Sequence, residues 1–424
     1  MTHNEDLLQY VWKYKLYDMS HLLTTDGDVL EVLDPGIQNS DAGPDFFNAK
    51  IKIGKTVWAG NIEIHISSAD WKQHKHHKDK AYNSVILHVA EKITEPVYNE
   101  KGLSIPQFQM MVPERIHENA ANLLLADKGV SCAEFISEMP PTLLSAWLDV
   151  LAVERLERKT ADIFSHLQRF NNSWDEVLYV LLCRNFGFGL NSDQFERLAL
   201  SLPYNYVQKH GDNLFQIEAL LFGQAGMLDA SSINDTFYNQ LQDEYAFLRK
   251  KYLLKPLDSS LFKKLRVRPN AFPQVRIAQF AALLYMVPRL FGLIVESKDF
   301  EKLRMHLSAP TSSYWNTHYS FGNKSAEKKK YLGDASLNTI LINTVAPMLF
   351  AYGMKIDSDE YRERALSILE SVPPERNAIV TRFKKLGITP QSAFDTQALI
   401  QLWKEYCNKK KCLYCKIGQT VVAK

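Results

Sequence analysis

Hydrophobic positions along this chain alternate in the first third and then recur every three to four residues, so two kinds of structure are predicted in succession. Leu7, Leu8, Val11, Trp12 and Leu16 have helical spacing and predict an amphipathic first helix over about residues 5–17. Residues 28–33 form a strand candidate stopped by Asp34-Pro35-Gly36, where proline fixes φ and glycine permits a turn. Residues 46–53 alternate, Gly54-Lys55 suits a hairpin turn, and residues 57–66 set Ile62, Ile64 and Ile66 against Glu63 and His65. Ser67-Ser68-Ala69-Asp70 offers N-cap chemistry for a helix to about residue 82, and residues 85–89 make a compact apolar strand. Residues 97–111, interrupted by Gly102 and Pro106, predict a further hairpin at the sheet edge, and Pro113 opens a helix to about residue 126.

From Pro140-Pro141 onward, long segments of 3.6-residue period at 143–167, 174–186 and 278–294 replace the strands. The fold class expected is therefore α+β, with residues 1–128 a sheet-containing domain and residues 140–424 a mainly α-helical domain ending in a cysteine cluster. A length of 424 residues exceeds one ordinary hydrophobic core, which agrees with two domains. With 46% hydrophobic and 23% charged residues, neither disorder nor a fibrous repeat is indicated. Net charge is only +2 at pI 8.1, so any nucleic-acid surface must be local. The N-terminus lacks the basic start and apolar run of a secretory signal, and no apolar window reaches the roughly 18 residues of a membrane span. A cytoplasmic protein without a membrane partner is the expectation. Five cysteines, three of them crowded at the C-terminus, suit a reducing compartment and a metal site better than a disulfide framework.

Candidate chemistry concentrates between residues 43 and 65. Because strand side chains repeat every two residues, Glu63 and His65 project from one face and can share a ligand. Asp45 opens the preceding strand. Hard oxygen donors at the mouth of a sheet suit a divalent cation, Mg2+ or Mn2+, that activates water and neutralises phosphate charge. In this reading Asp45 and Glu63 are metal ligands, joined by the Ile64 carbonyl, and His65 lies next to the attacking water.

The Pro44-Asp45 pair and the Glu63-Ile64-His65 triplet, in the order helix, strand, strand, strand, helix, strand, resemble the PD-(D/E)XK nuclease superfamily. That resemblance implies a restriction-endonuclease-like αβββαβ core and phosphodiester hydrolysis of nucleic acid, DNA above all, with Asp45, Glu63 and His65 as catalytic positions. The superfamily's last motif residue is usually lysine, and here it is His65, which can serve as a general base or, when neutral, as a ligand. Following the motif, Lys72, His74, His77 and Lys78 form a cationic face suited to phosphate, or else a solvated helix face. His74 and Lys78 are four residues apart, which places them together on a helix. Glu5 could add a carboxylate, although an acid at a helix start is also favoured by the helix dipole. His88 reads as a core or sheet-face histidine.

Cys407, Cys412 and Cys415 are spaced to coordinate one soft metal or cluster, with Cys132 the first candidate for a fourth ligand. A remote cysteine joining a C-terminal trio resembles the iron–sulfur staple of RecB-type nucleases, and zinc fits the same donors. Cys183, in an apolar run, reads as buried and inert. In the helical half, residues 263–270 with Arg276 form a basic patch that suits nucleic acid or an interdomain seam. Over nearly its full length the chain also resembles an uncharacterised bacterial domain-of-unknown-function family, through Gly60-Asn61-Ile62-Glu63-Ile64-His65, Arg268-Pro269-Asn270-Ala271-Phe272-Pro273 and the Cys412-Leu413-Tyr414-Cys415 ending. The leading expectation is a divalent-metal-dependent nuclease. Two alternatives stand beside it: a non-catalytic nucleic-acid-binding or scaffold protein of the same fold, and a metal-dependent hydrolase of another substrate using His65, His74 and His77 together.

Overall fold

Alternation in the first part of the chain is realised as a mixed six-stranded sheet in a computed structural model that describes residues 2–39, 41–125, 129–230, 233–265 and 267–424. The elements are helix α1 (Thr2–Lys13), strands β1 (Leu30–Asp34), β2 (Ile37–Gln38), β3 (Phe46–Ile53) and β4 (Thr56–Ser67), helix α2 (Asp70–Gln73), strands β5 (Val85–Lys92) and β6 (Gln107–Gln109), and helix α3 (Glu114–Leu125). Strand order is β1-β3-β4-β5-β6, with β2 also pairing β3. The pairs β1/β3 and β3/β4 are antiparallel, the second through the tight turn at Gly54-Lys55, and β4/β5 and β5/β6 are parallel. Ile62, Ile64, Leu87 and Val89 are buried, and so are Glu63, His65 and His88, so the sheet centre is covered on both faces.

Two expected elements differ. The helix anticipated to residue 82 stops at Gln73, because Lys75 adopts a left-handed backbone (φ 66°), and the chain continues in 3-10 turns His76–Lys78 and Lys80–Ser84. Asp79 supports the second turn by accepting from Ala81 N at 2.9 Å. Of the hairpin expected over 97–111, only β6 is a strand, and it pairs parallel to β5, with a single bridge between Tyr98 and Ser104. Residue 126 at the expected end of α3, the expected boundary at residue 128, and Arg266 of the basic patch lie outside the described residues.

The chain divides into one unit of Met1–Trp147 with Leu402–Lys424 and a second of Leu148–Gln401. The C-terminal segment, assigned from sequence to the helical half, thus belongs with the sheet. The second unit is mostly helical and, among the described residues, has one two-stranded ribbon, His318–Ser320 and Asn323–Lys324. Its helices Leu214–Gln224 and Pro273–Met286 are largely buried, in keeping with their mainly apolar sequences. The helical stretch Asp334–Lys355 is long and apolar enough to cross a membrane, and 72% of its most apolar window is buried within the protein. Arg276 is half-buried over the Phe188 ring, 4.1 Å from its centroid, and bonds Gln279 and Ser336, which makes it a packing residue of this unit.

Candidate metal centre

Strand register assembles the centre. Phe46 of β3 pairs with Ile62 of β4, and this brings Asp45, immediately before β3, against Glu63. Their carboxylates are strapped across the strands: Asp45 N donates to Glu63 Oε2 at 3.0 Å, and Ile64 N donates to Asp45 Oδ2 at 2.9 Å. From α1, Gln9 Nε2 donates to Asp45 Oδ1 at 2.7 Å. In the parallel part of the sheet Glu63 pairs with His88, and His88 with Gln107, so three strands contribute one row of polar side chains. Within it His65 Nδ1 lies 2.9 Å from His88 Nε2, and His88 Nδ1 lies 3.2 Å from Gln107 Nε2.

The broken helix after β4 supplies two more imidazoles. His74 Nδ1 is 3.3 Å from His65 Nε2, and His76 Nε2 is 3.2 Å from Glu63 Oε1, which is itself 3.5 Å from His65 Nε2. Among the described residues, His65, His74 and His76 are the group whose donor atoms all fall within 4.8 Å of one another. Trp71 meets His65, His76 and His88 edge-on and anchors its own Nε1 on Tyr98 O at 2.9 Å. Tyr82 stacks on His76 with ring centroids 3.8 Å apart. These rings hold the imidazoles in place and shut water out of all but the His74 side, where that residue is exposed.

Burial governs the charges. It pushes the Asp45 carboxyl well above the ordinary range, and the neighbouring Glu63 charge adds to the shift. Glu63 is raised by burial too, partly offset by the Asp45 N–H it accepts. The imidazoles move the other way, His65 down to about 2, His88 to about 3 and His76 to about 4, in each case chiefly through burial. The close His–Glu63 approaches are therefore contacts between neutral groups rather than ion pairs. Neutral imidazoles keep a lone pair for coordination, and buried carboxylates without a countercharge are stabilised by a cation.

Of the residues singled out from sequence, Asp45, Glu63, His65 and His74 come together here. His77 does not join the group; it is half-buried, with Nδ1 lacking a hydrogen-bond partner. Lys72 is occupied by Glu95 at 2.7 Å, and Lys78 is exposed on the turn. His76, Gln107, Gln9 and Trp71 were not selected, and His88, expected in the core, is there but touches His65. The one signal for His76 was the density of histidine at positions 74, 76 and 77.

Four of the five cysteines belong to this same unit. Cys132, Cys412 and Cys415 are buried and Cys407 is half-buried. Burial raises the Cys132 thiol to about 12, with Cys415 and Cys412 adding to the shift, so these three thiols feel one another. Cys183, in the second unit, is fully buried and donates to Phe195 O at 3.2 Å.

Over residues 5–378 the chain matches the family described as Protein of unknown function (DUF2851), and it belongs to that family. No curated protein and no solved structure matches it.

Proposed function

We propose that this DUF2851 protein is a divalent-metal-dependent phosphodiester hydrolase, a nuclease acting on DNA, with its reaction centre at Asp45, Glu63 and His65. The observation that carries the reading is the pairing of the two carboxylates across adjacent antiparallel strands, followed by a crossover into a parallel strand. That is the element order in which PD-(D/E)XK nucleases present their acidic pair. The donors suit a cation: Glu63 Oε1 is free of backbone donors, and each Asp45 oxygen, though bonded by Gln9 or Ile64, retains a second lone pair. Mg2+ or Mn2+ held there would polarise the phosphate and acidify a bound water.

The chain's own groups have separable tasks. Gln9 and the Ile64 amide orient Asp45, and the Asp45 amide orients Glu63. His65, kept neutral and in contact with His88, takes the position where the superfamily usually has lysine and can accept a hydrogen bond that orients the attacking water. Exposed His74 and Lys78 line the approach of a phosphate backbone. Purified full-length protein supplied with Mg2+ or Mn2+ should cut single-stranded, double-stranded or branched DNA, and Asp45→Ala should lower the rate at least about 100-fold. Absence of cleavage from every form, with Asp45→Ala indistinguishable from wild type, removes the reading.

A second reading, a metal-dependent hydrolase of another substrate, is favoured by the meeting of three imidazoles, with His76 in the place expected for His77. Turnover of a small phosphodiester without cleavage of any nucleic acid would select it. The cysteines add a separate proposal: zinc or an iron–sulfur cluster on Cys132, Cys407, Cys412 and Cys415 as a staple of the first unit, supported by the mutual influence of three of these thiols. Quantifying iron, zinc and acid-labile sulfide in the purified chain tests it.

A further inference from the structure

His65, His74 and His76 come from a strand, a helix end and a 3-10 turn, and their separations have the dimensions of a coordination shell. With metal–nitrogen bonds of about 2.0–2.1 Å, adjacent ligand atoms around a tetrahedral or octahedral ion lie roughly 2.9–3.4 Å apart. Here His74 Nδ1 and His65 Nε2 are 3.3 Å apart, His76 Nε2 and Glu63 Oε1 3.2 Å, and His65 Nε2 and Glu63 Oε1 3.5 Å. A second observation comes from His76, which is only 8% exposed and whose Nε2 has no hydrogen-bond partner. Although Glu63 Oε1 lies only 3.2 Å away, nitrogen and oxygen are not in hydrogen-bonding geometry. An unpartnered buried nitrogen is costly, and a cation at that point removes the cost.

Donor chemistry selects the ion. Imidazole-rich sets favour iron through zinc, whereas magnesium prefers oxygen and water. We propose that His65 Nε2, His74 Nδ1, His76 Nε2 and Glu63 Oε1 bind one transition-metal ion of the iron-to-zinc group, and that Gln107 orients His65 for it through His88. Coordination through His65 Nε2 requires its proton on Nδ1, where it is donated to His88 Nε2; His88 then carries its own proton on Nδ1 and needs an acceptor. Gln107 provides one when its amide oxygen faces His88, a half-turn from the orientation with Nε2 at 3.2 Å. Gln107 is thus a positioning residue two side chains removed from the ion. This inference uses the centre of the proposed hydrolase but not its reaction.

The test is a cobalt(II) titration of the chelator-stripped full-length chain, read by visible absorption with excess Mg2+ present. One cobalt per chain is expected, with ligand-field bands and without the intense sulfur-to-metal bands of thiolate ligation. His74 is exposed, so His74→Ala preserves the fold, and it should weaken binding at least about 10-fold. Gln107→Met should weaken binding by roughly 10-fold, and Gln107→Glu, which restores an acceptor, should recover it. Absence of cobalt bands, bands of thiolate type alone, or cobalt affinity unchanged in His74→Ala overturns the inference; equal affinity in Gln107→Met overturns the role of Gln107. Imidazole-bound cobalt in a chain that cuts no DNA would uphold this inference and remove the nuclease, while Mg2+-dependent cleavage without cobalt binding would do the reverse.

Discussion

Glu63 is the residue on which the centre turns, because one oxygen is tied to the backbone of the neighbouring strand and the other faces two imidazoles. A carboxyl pushed out of its ordinary range by burial is a poor choice for stability and a good one for binding a cation. Glu63→Gln keeps the acceptor for Asp45 N while removing the charge. Its chelator-treated form should therefore be more stable than wild type at pH 8, by about 1 kcal/mol, while metal affinity drops; calorimetry with and without metal checks both halves. Much of this was legible in the sequence, since a two-residue period is local and fixes Glu63 and His65 on one face. The partners on that face were not. His76 reaches Glu63 only because Lys75 turns left-handed, and a lysine carries no signal for that conformation. His88 and Gln107 align through parallel register, which depends on contacts distant in sequence.

At the scale of elements, the centre depends on how closely β4 and β5 approach. Gly60 makes that approach possible: a Cβ there would lie 2.4 Å from Ile86 Cγ2 and 2.8 Å from Ser84 O. Gly60→Ala should destabilise the protein by about 1–3 kcal/mol, measurable by urea unfolding, and should loosen the Glu63–His88 row that follows it. In the second unit the helix Leu214–Gln224 carries Glu218 into the buried interior, where Ser312 Oγ and Trp315 Nε1 donate to it at 2.9 Å and 3.1 Å. Burial outweighs those donors and raises its carboxyl to about 8. The folded state therefore holds a proton that the unfolded state, near 4.5, releases. Stability from this group is intact below pH 4.5 and lost as pH climbs to about 8. Glu218→Gln should flatten that decline, so the melting temperature gained over wild type should be larger at pH 8 than at pH 5. A single acid inside a largely apolar helix carries no local sign of its burial, which is decided by packing against segments distant in sequence.

Across the whole molecule, the sheet unit is completed by the last part of the chain. Tyr10 Oη donates to Gln419 O at 3.0 Å, Tyr414 Oη to Asp6 Oδ1 at 3.2 Å, and Arg115 Nη1 to Lys424 O at 3.2 Å, while Leu413, Val421 and Val422 are buried. Removing residues 402–424 should strip α1 and α3 of this cover, and limited proteolysis should then cut the first unit at protease levels the full chain withstands. The chain order places that segment after the helical half, whereas membership of a unit is decided by long-range packing, to which a local pattern is blind. The succession of an α+β part and a helical part was readable for the opposite reason, since a change of period is itself local. The claim that joins all three scales is that the sheet unit holds a metal through imidazole and carboxylate donors. Metal-edge X-ray absorption of the purified full-length protein, loaded with zinc, addresses it directly. The expected spectrum includes nitrogen and oxygen neighbours at about 2.0–2.2 Å with imidazole outer-shell scattering, whether or not zinc on the cysteines adds a sulfur shell. A first shell of sulfur alone at about 2.3 Å, or no retained metal, would contradict it.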